Sequence, residues 1–469
     1  MKQASEQAPG QPAPEHLASA SPHIVTAIPG PQSQAWAARL HQAECPEVTW
    51  LAPDFPVFWE KAAGVMVEDV DGNRFLDLTA AFAVASIGHA HPRVVETLQA
   101  QAPRLIHGMG DVHPSRLKVE LAEKLAALTD GALGLPIFGC SGAEAMEAAR
   151  KTALVASGRT HLIAFTGAYH GLTLGALELT ARAEFRAPFQ SQLSGTVTRL
   201  PYPSCYRCPY GKTYGSCQLE CLQHLERTLD DAGSGVGDVG GIVLEPIQGR
   251  GGTVVPPPEY LPGLRKLCDE RQILLVLDEI YTGFGRTGRL FAHEHWNIRP
   301  DIMAVGKALG GGMPISACIG KPEVMRRWPA SQGEAIHTGT FLGHPLSCAA
   351  ALTALDVLEQ EKLVERSARL GKLLKEALWK LALKHPEIGD VRGEGLMIGV
   401  ELVTDRQKKT PATTLCIGLM KWALQKGLLL LPEGTHGNIL GITPPLVVQE
   451  QQLAWAVERI DEGLSALKA

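Results

Sequence analysis

The sequence predicts an α/β protein, with a large domain built on a mostly parallel central sheet and a smaller α+β domain after it. Three observations predict this. From about residue 115 to 345, helical patterns alternate with short apolar runs, the order of βαβ units. Those runs are too uniformly apolar to show one wet face, as expected of strands covered on both sides. Beyond Pro345 the order changes to long helices, paired strands and a last helix. The 469 residues also exceed what one core organises, so two closely associated domains are expected.

Taken in order, residues 1–22 are rich in Ala, Pro, Ser, Gln and Glu. They lack the basic start and apolar middle of a secretory signal, and are expected to form a flexible tail. Residues 23–75 are expected to pack with the small domain. The runs 65–70 and 74–78 flank Asp71-Gly72-Asn73 and read as a hairpin. Residues 76–343 form the large domain, with helices over 116–128 and 141–157 and strands over 162–165, 241–245, 273–278 and 302–305. Residues 344–469 form the small domain. It has helices over 346–383, strands over 388–402 and 428–442, and a final helix over 449–467.

Composition narrows the function. Hydrophobic residues make up 45% and charged residues 20%, as in ordinary globular proteins. The net charge of −5 gives no basic footprint for nucleic acid. No apolar stretch reaches the roughly 18 residues that span a bilayer. Of ten cysteines, six are scattered, which fits a reducing cytoplasm.

The chemistry centres on Asp278 and Lys307. Asp278 ends the run Ile273-Leu274-Leu275-Val276-Leu277, and Lys307 follows Ile302-Met303-Ala304-Val305-Gly306. Each run delivers a charged group to a strand end, where open α/β sheets bind ligands. Either charge buried alone is costly. Pyridoxal 5′-phosphate satisfies both, offering a pyridinium nitrogen to the Asp and an aldehyde to the Lys. Asp278 holds the ring nitrogen protonated. Lys307, beside a cationic ring, has a lowered pKa and acts as the nucleophile. The glycines Gly310-Gly311-Gly312 beyond it permit close backbone approach.

Other residues fall into place around this pair. Ser141, Gly142 and Ala143 open a helix, and their free N–H groups suit the cofactor phosphate. Read alone, they are a plain capped helix. Tyr169, after an apolar strand, is the candidate to stack on the pyridine ring. His170 reads as a local structural histidine. Glu245 ends another strand and either bonds within the site or caps a turn. Ile280 lies where it can cover the ring face, and Glu279 is placed to orient the loop.

These segments, with Gly88-His89-Ala90-His91-Pro92, Thr338-Gly339-Thr340-Phe341 before His344-Pro345, and Val391-Arg392-Gly393-Glu394-Gly395-Leu396, resemble one family over about residues 45–465. The chain is similar to the class III (subgroup II) pyridoxal-phosphate aminotransferases of fold type I. That group includes the ornithine, acetylornithine and 4-aminobutyrate aminotransferases. The resemblance implies ping-pong transfer of an amino group from an amino acid or amine to a 2-oxo acid, through a Schiff base on Lys307. It also implies a cytoplasmic homodimer in which Thr340 reaches the cofactor phosphate of the neighbouring subunit, and an Arg392 that clamps a substrate carboxylate. Tyr281 stands where family members often carry a Gln bonded to the cofactor's ring hydroxyl. Arg250 stands where ω-amine enzymes carry a Glu that pairs with the clamping arginine. A second cation does not neutralise Arg392, which argues against the ω-amine mode. Phe82 replaces a substrate-holding Tyr and implies a more apolar pocket. A racemase or epimerase, or a decarboxylating lyase, shares the same first steps and is the alternative reading.

Cys205, Cys208, Cys217 and Cys221 form a C-x2-C-x8-C-x3-C pattern in a Pro-, Tyr- and Gly-rich segment. It reads either as a structural zinc site or as a loop of free thiols. In both readings it lies apart from the reacting bonds, and no metal is assigned to the chemistry.

Overall fold

The computed structural model describes residues 15–49, 52 and 54–467. The N-terminal strands β1 (Trp59–Ala63), β2 (Met66–Asp69) and β3 (Arg74–Asp77) form an antiparallel meander, with Val67 opposite Phe75 in the expected hairpin. Seven strands then build the central sheet: β4 (Gly134–Gly139), β5 (His161–Phe165), β6 (Val197–Leu200), β7 (Val239–Leu244), β8 (Leu274–Asp278), β9 (Ile302–Val305) and β10 (Ser316–Gly320). Their order is β4-β10-β9-β8-β7-β5-β6. All neighbours from β9 to β6 pair in parallel, and β10 alone runs against its two partners. β4 therefore runs in the same sense as β9.

That topology sets the site. The carboxyl ends of β4, β5, β7, β8 and β9 reach one edge of the sheet, where βαβ proteins bind ligands. Register brings Asp278 opposite Ala304 and Leu244 opposite Leu277. Glu245, Asp278 and Lys307 thus emerge side by side although up to 62 residues separate them. The strands that carry these three residues are buried on both faces, β7 and β9 along their whole length and β8 from Leu275 onward.

The helix Gly142–Ser157 shows how small side chains aid this packing. It lays Ala145, Met146, Ala148, Ala149, Thr152 and Ala153 on the sheet, mostly small residues at helical spacing that let the backbones approach closely. Ser141 caps its start, accepting the N–H of Glu144 at 3.3 Å. Gly158 ends it at φ 69, a left-handed conformation that costs glycine little.

After the helices Pro345–Gln360 and Leu363–Lys384 come β11 (Ile388–Glu394), β12 (Met397–Asp405), β13 (Thr410–Pro411), β14 (Leu428–Leu429), β15 (Leu431–Glu433) and β16 (Ile439–Ile442). The order β11-β12-β16-β15 forms one sheet, with β13 on β12. β14 instead pairs in parallel with β3, tying the N-terminal meander to the C-terminal part.

Some elements differ from expectation. The helix Thr413–Gln425 and strands β4, β6 and β10 join those read from the sequence. Glycines in β4 and β10, and the alternating Val197-Thr198-Arg199-Leu200 of β6, blur the apolar-run signal. The tail expected over 1–22 is helical at Glu15–Ala18, and Leu17 is 1% exposed because it packs into the core. The rest of that segment, 1–14, lies outside the described residues. No helix among the described residues is long and apolar enough to cross a membrane.

Candidate active site

At the sheet edge a cavity of about 300 Å³ is lined by Ser141, Gly142, Ala143, Tyr169, Glu245 and Asp278, joined by Ile280, Tyr281 and Lys307. Nine of the sequence-predicted positions thus meet in one space, together with His170, Gly171, Leu172 and Arg250. A larger cavity of about 1110 Å³ lies elsewhere, lined by charged residues such as Arg289, Arg369, Lys372 and Glu394, and contains neither Asp278 nor Lys307. We place the chemistry in the smaller one because the buried charges converge there.

Lys307 leaves β9 at φ 43, a strained conformation for a side-chain-bearing residue. Burial pushes its ammonium down to about 8; the carboxylates of Asp278 and Glu245 oppose this, and Arg250 adds to it. Its Nζ lies 4.2 Å from the ring centre of Tyr281. Lys307 has no salt bridge among the described residues, so its amine is free to react. The neutral amine is the nucleophile. Covalent capture of added pyridoxal phosphate by the cofactor-free protein is therefore expected to speed up about tenfold per pH unit below 8 and to level off above it. Stopped-flow absorbance checks this.

Asp278 is 4% exposed and held from two sides. Its Oδ1 accepts the N–H of Ile280 at 3.0 Å, and its Oδ2 meets His170 Nδ1 at 2.8 Å. Burial lowers the pKa of His170, but the hydrogen bond and charge of Asp278 outweigh it, so the net shift is upward. His170 Nε2 is buried without a hydrogen-bond partner among the described residues. The residue read as local structure is thus the direct partner of the central carboxylate. Its position five residues beyond the apolar run that ends at Phe165 gave no local signal.

Glu245 accepts backbone N–H groups of Tyr169 at 3.2 Å and Gly249 at 2.8 Å, and burial lifts its pKa to about 7. It therefore caps the turn while lining the cavity, which joins its two readings. Glu279 does orient the loop, accepting the N–H groups of Ala292 at 2.9 Å and His293 at 2.8 Å. Ile280 packs against the helix start: a Cβ on Gly142 would meet its side chain at 3.1 Å.

Three expected positions stand differently. Tyr281 gives its hydroxyl to Thr443 Oγ1 at 3.2 Å, so the phenol is tied to the C-terminal part. Phe82 is 61% exposed and does not line the cavity. Arg392, expected to clamp the substrate, is committed within the protein. Its Nη1 donates to Asp390 at 2.9 Å and Glu401 at 2.7 Å, its Nε to the carbonyls of Gly252 and Thr253, and its Nη2 to Gly252 at 2.6 Å. Glu401 also binds Arg207, which lies between Cys205 and Cys208. All four cysteines of that segment are free and line one small cavity, and among the described residues no three metal-ligating side chains converge to hold an ion.

A lysine made nucleophilic by burial, beside a carboxylate braced by histidine at a sheet edge, defines an enzyme that works through an aldehyde cofactor. The family model for aminotransferase class III matches residues 51–464. An acetylornithine aminotransferase of Methanosarcina mazei is 37% identical over 87% of this chain and 92% of its own length. A leucine/methionine racemase of Thermococcus litoralis is 37% identical over 88% of this chain and 90% of its own. Among solved structures, a PLP-bound amine transaminase from an uncultivated Pseudomonas species superposes with a TM-score of 0.83 at 29% identity, covering 90% of this chain and 98% of that one. The chain belongs to the class-III aminotransferases.

Its cofactor is pyridoxal 5′-phosphate, and the residues present fit it. Lys307 offers an unpaired amine, Asp278 a buried carboxylate, and the start of the helix Gly142–Ser157 free N–H groups at the same cavity. Its reaction moves an amino group from an amino donor to a 2-oxo acid.

Proposed function

We propose that Lys307 and Asp278 are the catalytic residues of this aminotransferase, and that one lysine does the proton work. The observation that carries this is the cavity holding Lys307 and the His170-braced Asp278 together. When bound, the cofactor supplies an electron sink that makes the substrate Cα proton acidic. Asp278 would hold the ring nitrogen and favour its protonated form. The N–H groups at Ser141, Gly142 and Ala143 hold the phosphate. Tyr169 and Ile280 would hold the ring between them, with Glu245 and Tyr281 as polar neighbours in the same cavity. The Lys307 amine, once free, would take the substrate Cα proton and later give it back, as general base and then acid. The first oxo product would leave before the 2-oxo acid acceptor enters, with the amino group retained in the enzyme between the two half-reactions, so kinetics are ping-pong.

In this reading residues 76–343 form the cofactor-binding unit, and 23–75 join 344–469 in the smaller one. Two copies associate, and the exposed Thr340 reaches the partner's phosphate site. Ten free cysteines suit a cytoplasmic setting.

The similarity to a racemase favours a second reading. Racemisation needs a proton removed from one face of Cα and restored on the other. Two assays decide between the readings. An aminotransferase loses its cofactor colour with an amino donor alone and regains it on adding pyruvate or 2-oxoglutarate. A racemase abolishes optical rotation with no acceptor present. Rotation lost at a normal rate without acceptor, and no exchange with either oxo acid, would overturn the transfer reading.

A further inference from the structure

We propose that Arg250, rather than Arg392, receives the substrate carboxylate, and that the enzyme acts on amino acids carrying that carboxylate on the reacting carbon. This rests on the aminotransferase reading and deepens it. A 2-oxo acid acceptor always brings a carboxylate next to the carbon that reacts. Moving that anion into a cavity without a cationic partner is costly.

Arg392 is poorly placed to serve. Four of its five N–H groups are engaged, two of them by the carboxylates of Asp390 and Glu401, and it does not line the cavity. Glu401 is shared with Arg207, and the buried Glu433 also feels the charge of Arg392, so these arginines already face carboxylates of the protein and offer little attraction to another anion.

Arg250 is the opposite case. Apart from Lys307 and the Asp278-bound His170, it is the one basic residue lining the cavity among the described residues. Its guanidinium has no ion pair or hydrogen bond among the described residues. It rests on the face of Tyr169, 4.6 Å from the ring centre, with Phe185 at 5.8 Å. Stacking of this kind holds a planar guanidinium by its face and leaves its N–H edge free for two-pronged carboxylate binding. Its backbone is also fixed: the carbonyl of Arg250 accepts the N–H of Gly434 at 3.1 Å and Nη2 of Arg182 at 3.3 Å. The position that argues against an ω-amine mode thus supplies the anion site itself.

The test uses the cofactor-loaded full chain and probes that suit the apolar lining of Leu172 and Ile280. Calorimetric titration with 4-methylpentanoate, which is leucine without its amine, reads carboxylate capture without turnover. Arg250→Gln is expected to weaken this binding about 10- to 100-fold, the loss of a charge-assisted pair, and Arg250→Lys to weaken it less. The preference for L-leucine over 3-methylbutan-1-amine, read from cofactor absorbance, is expected to fall at least tenfold in Arg250→Gln. Equal binding of 4-methylpentanoate by the wild type and Arg250→Gln, or no binding by the wild type, overturns the proposal. If the wild type never exchanges its amino group with a 2-oxo acid, the aminotransferase reading fails, while the calorimetric result still decides the role of Arg250.

Discussion

Lys307→Ala is expected to eliminate turnover, a fall of about 10⁴-fold or more, and to remove the visible band of the lysine-bound cofactor. The size follows from the two jobs assigned to one amine: it is the nucleophile that anchors the cofactor and the base that moves the Cα proton, and proton transfer alone is worth about 10²–10⁴-fold. No other group in the cavity can replace it. Glu245 is held by two backbone N–H groups, His170 by Asp278, and Tyr281 by Thr443. The loss is expected without unfolding. Lys307 is a buried amine with a depressed pKa and no salt bridge, so its removal takes away an unfavourable burial rather than a stabilising contact. A thermal midpoint equal to or above that of the wild type, with no colour and no activity, is the expected pattern. A variant that turns over normally rejects the assignment.

The parts of the fold and site legible in the sequence share one physical cause. Strands buried on both faces leave uninterrupted apolar runs, and a parallel sheet gathers the ends of those runs at one edge. Glu245, Asp278 and Lys307 each sit at such an end and are found together. Tyr169 and the Ser141 turn follow strands that end on the same edge. What local pattern does not carry is which side chains meet across the edge. His170 and Asp278 are 108 residues apart, and nothing around His170 distinguishes it from a histidine in a tight turn. The engagement of Arg392 was hidden for the same reason: Asp390 lies on its own strand, but Gly252 and Thr253 come from a loop about 140 residues earlier. Glu433 adds a carboxylate that no motif announced. It accepts from Thr253 Oγ1 at 2.8 Å, and burial raises its pKa to about 7 against the charges of Arg392 and Arg250. A run such as Leu430-Leu431-Pro432-Glu433 reads as an ordinary strand end. Only the antiparallel pairing of β15 with β16 fixes where its glutamate sits.

Asp278→Asn carries the second large effect, an expected loss of about 10²–10⁴-fold in turnover. A buried charge pair broken from one side costs about 3–5 kcal/mol, and that difference appears in the rate because the carboxylate is what would keep the bound cofactor's ring nitrogen protonated and able to accept electrons. Asparagine keeps the shape and can still accept from the N–H of Ile280, so the loop after β8 is expected to hold and circular dichroism to stay unchanged. What changes is the ring nitrogen, which no longer faces a carboxylate. The histidine beneath it separates charge from mere packing. His170→Phe removes the 2.8 Å contact to Oδ2 but leaves the carboxylate, and is expected to lower turnover by only about 10- to 100-fold. Because Asp278 raises the pKa of His170, removing the carboxylate is expected to bring the histidine's titration to lower pH, which NMR of the imidazole reads directly. Normal turnover in Asp278→Asn, or a loss in His170→Phe as large as in Asp278→Asn, would show that the carboxylate's charge is not what the reaction uses.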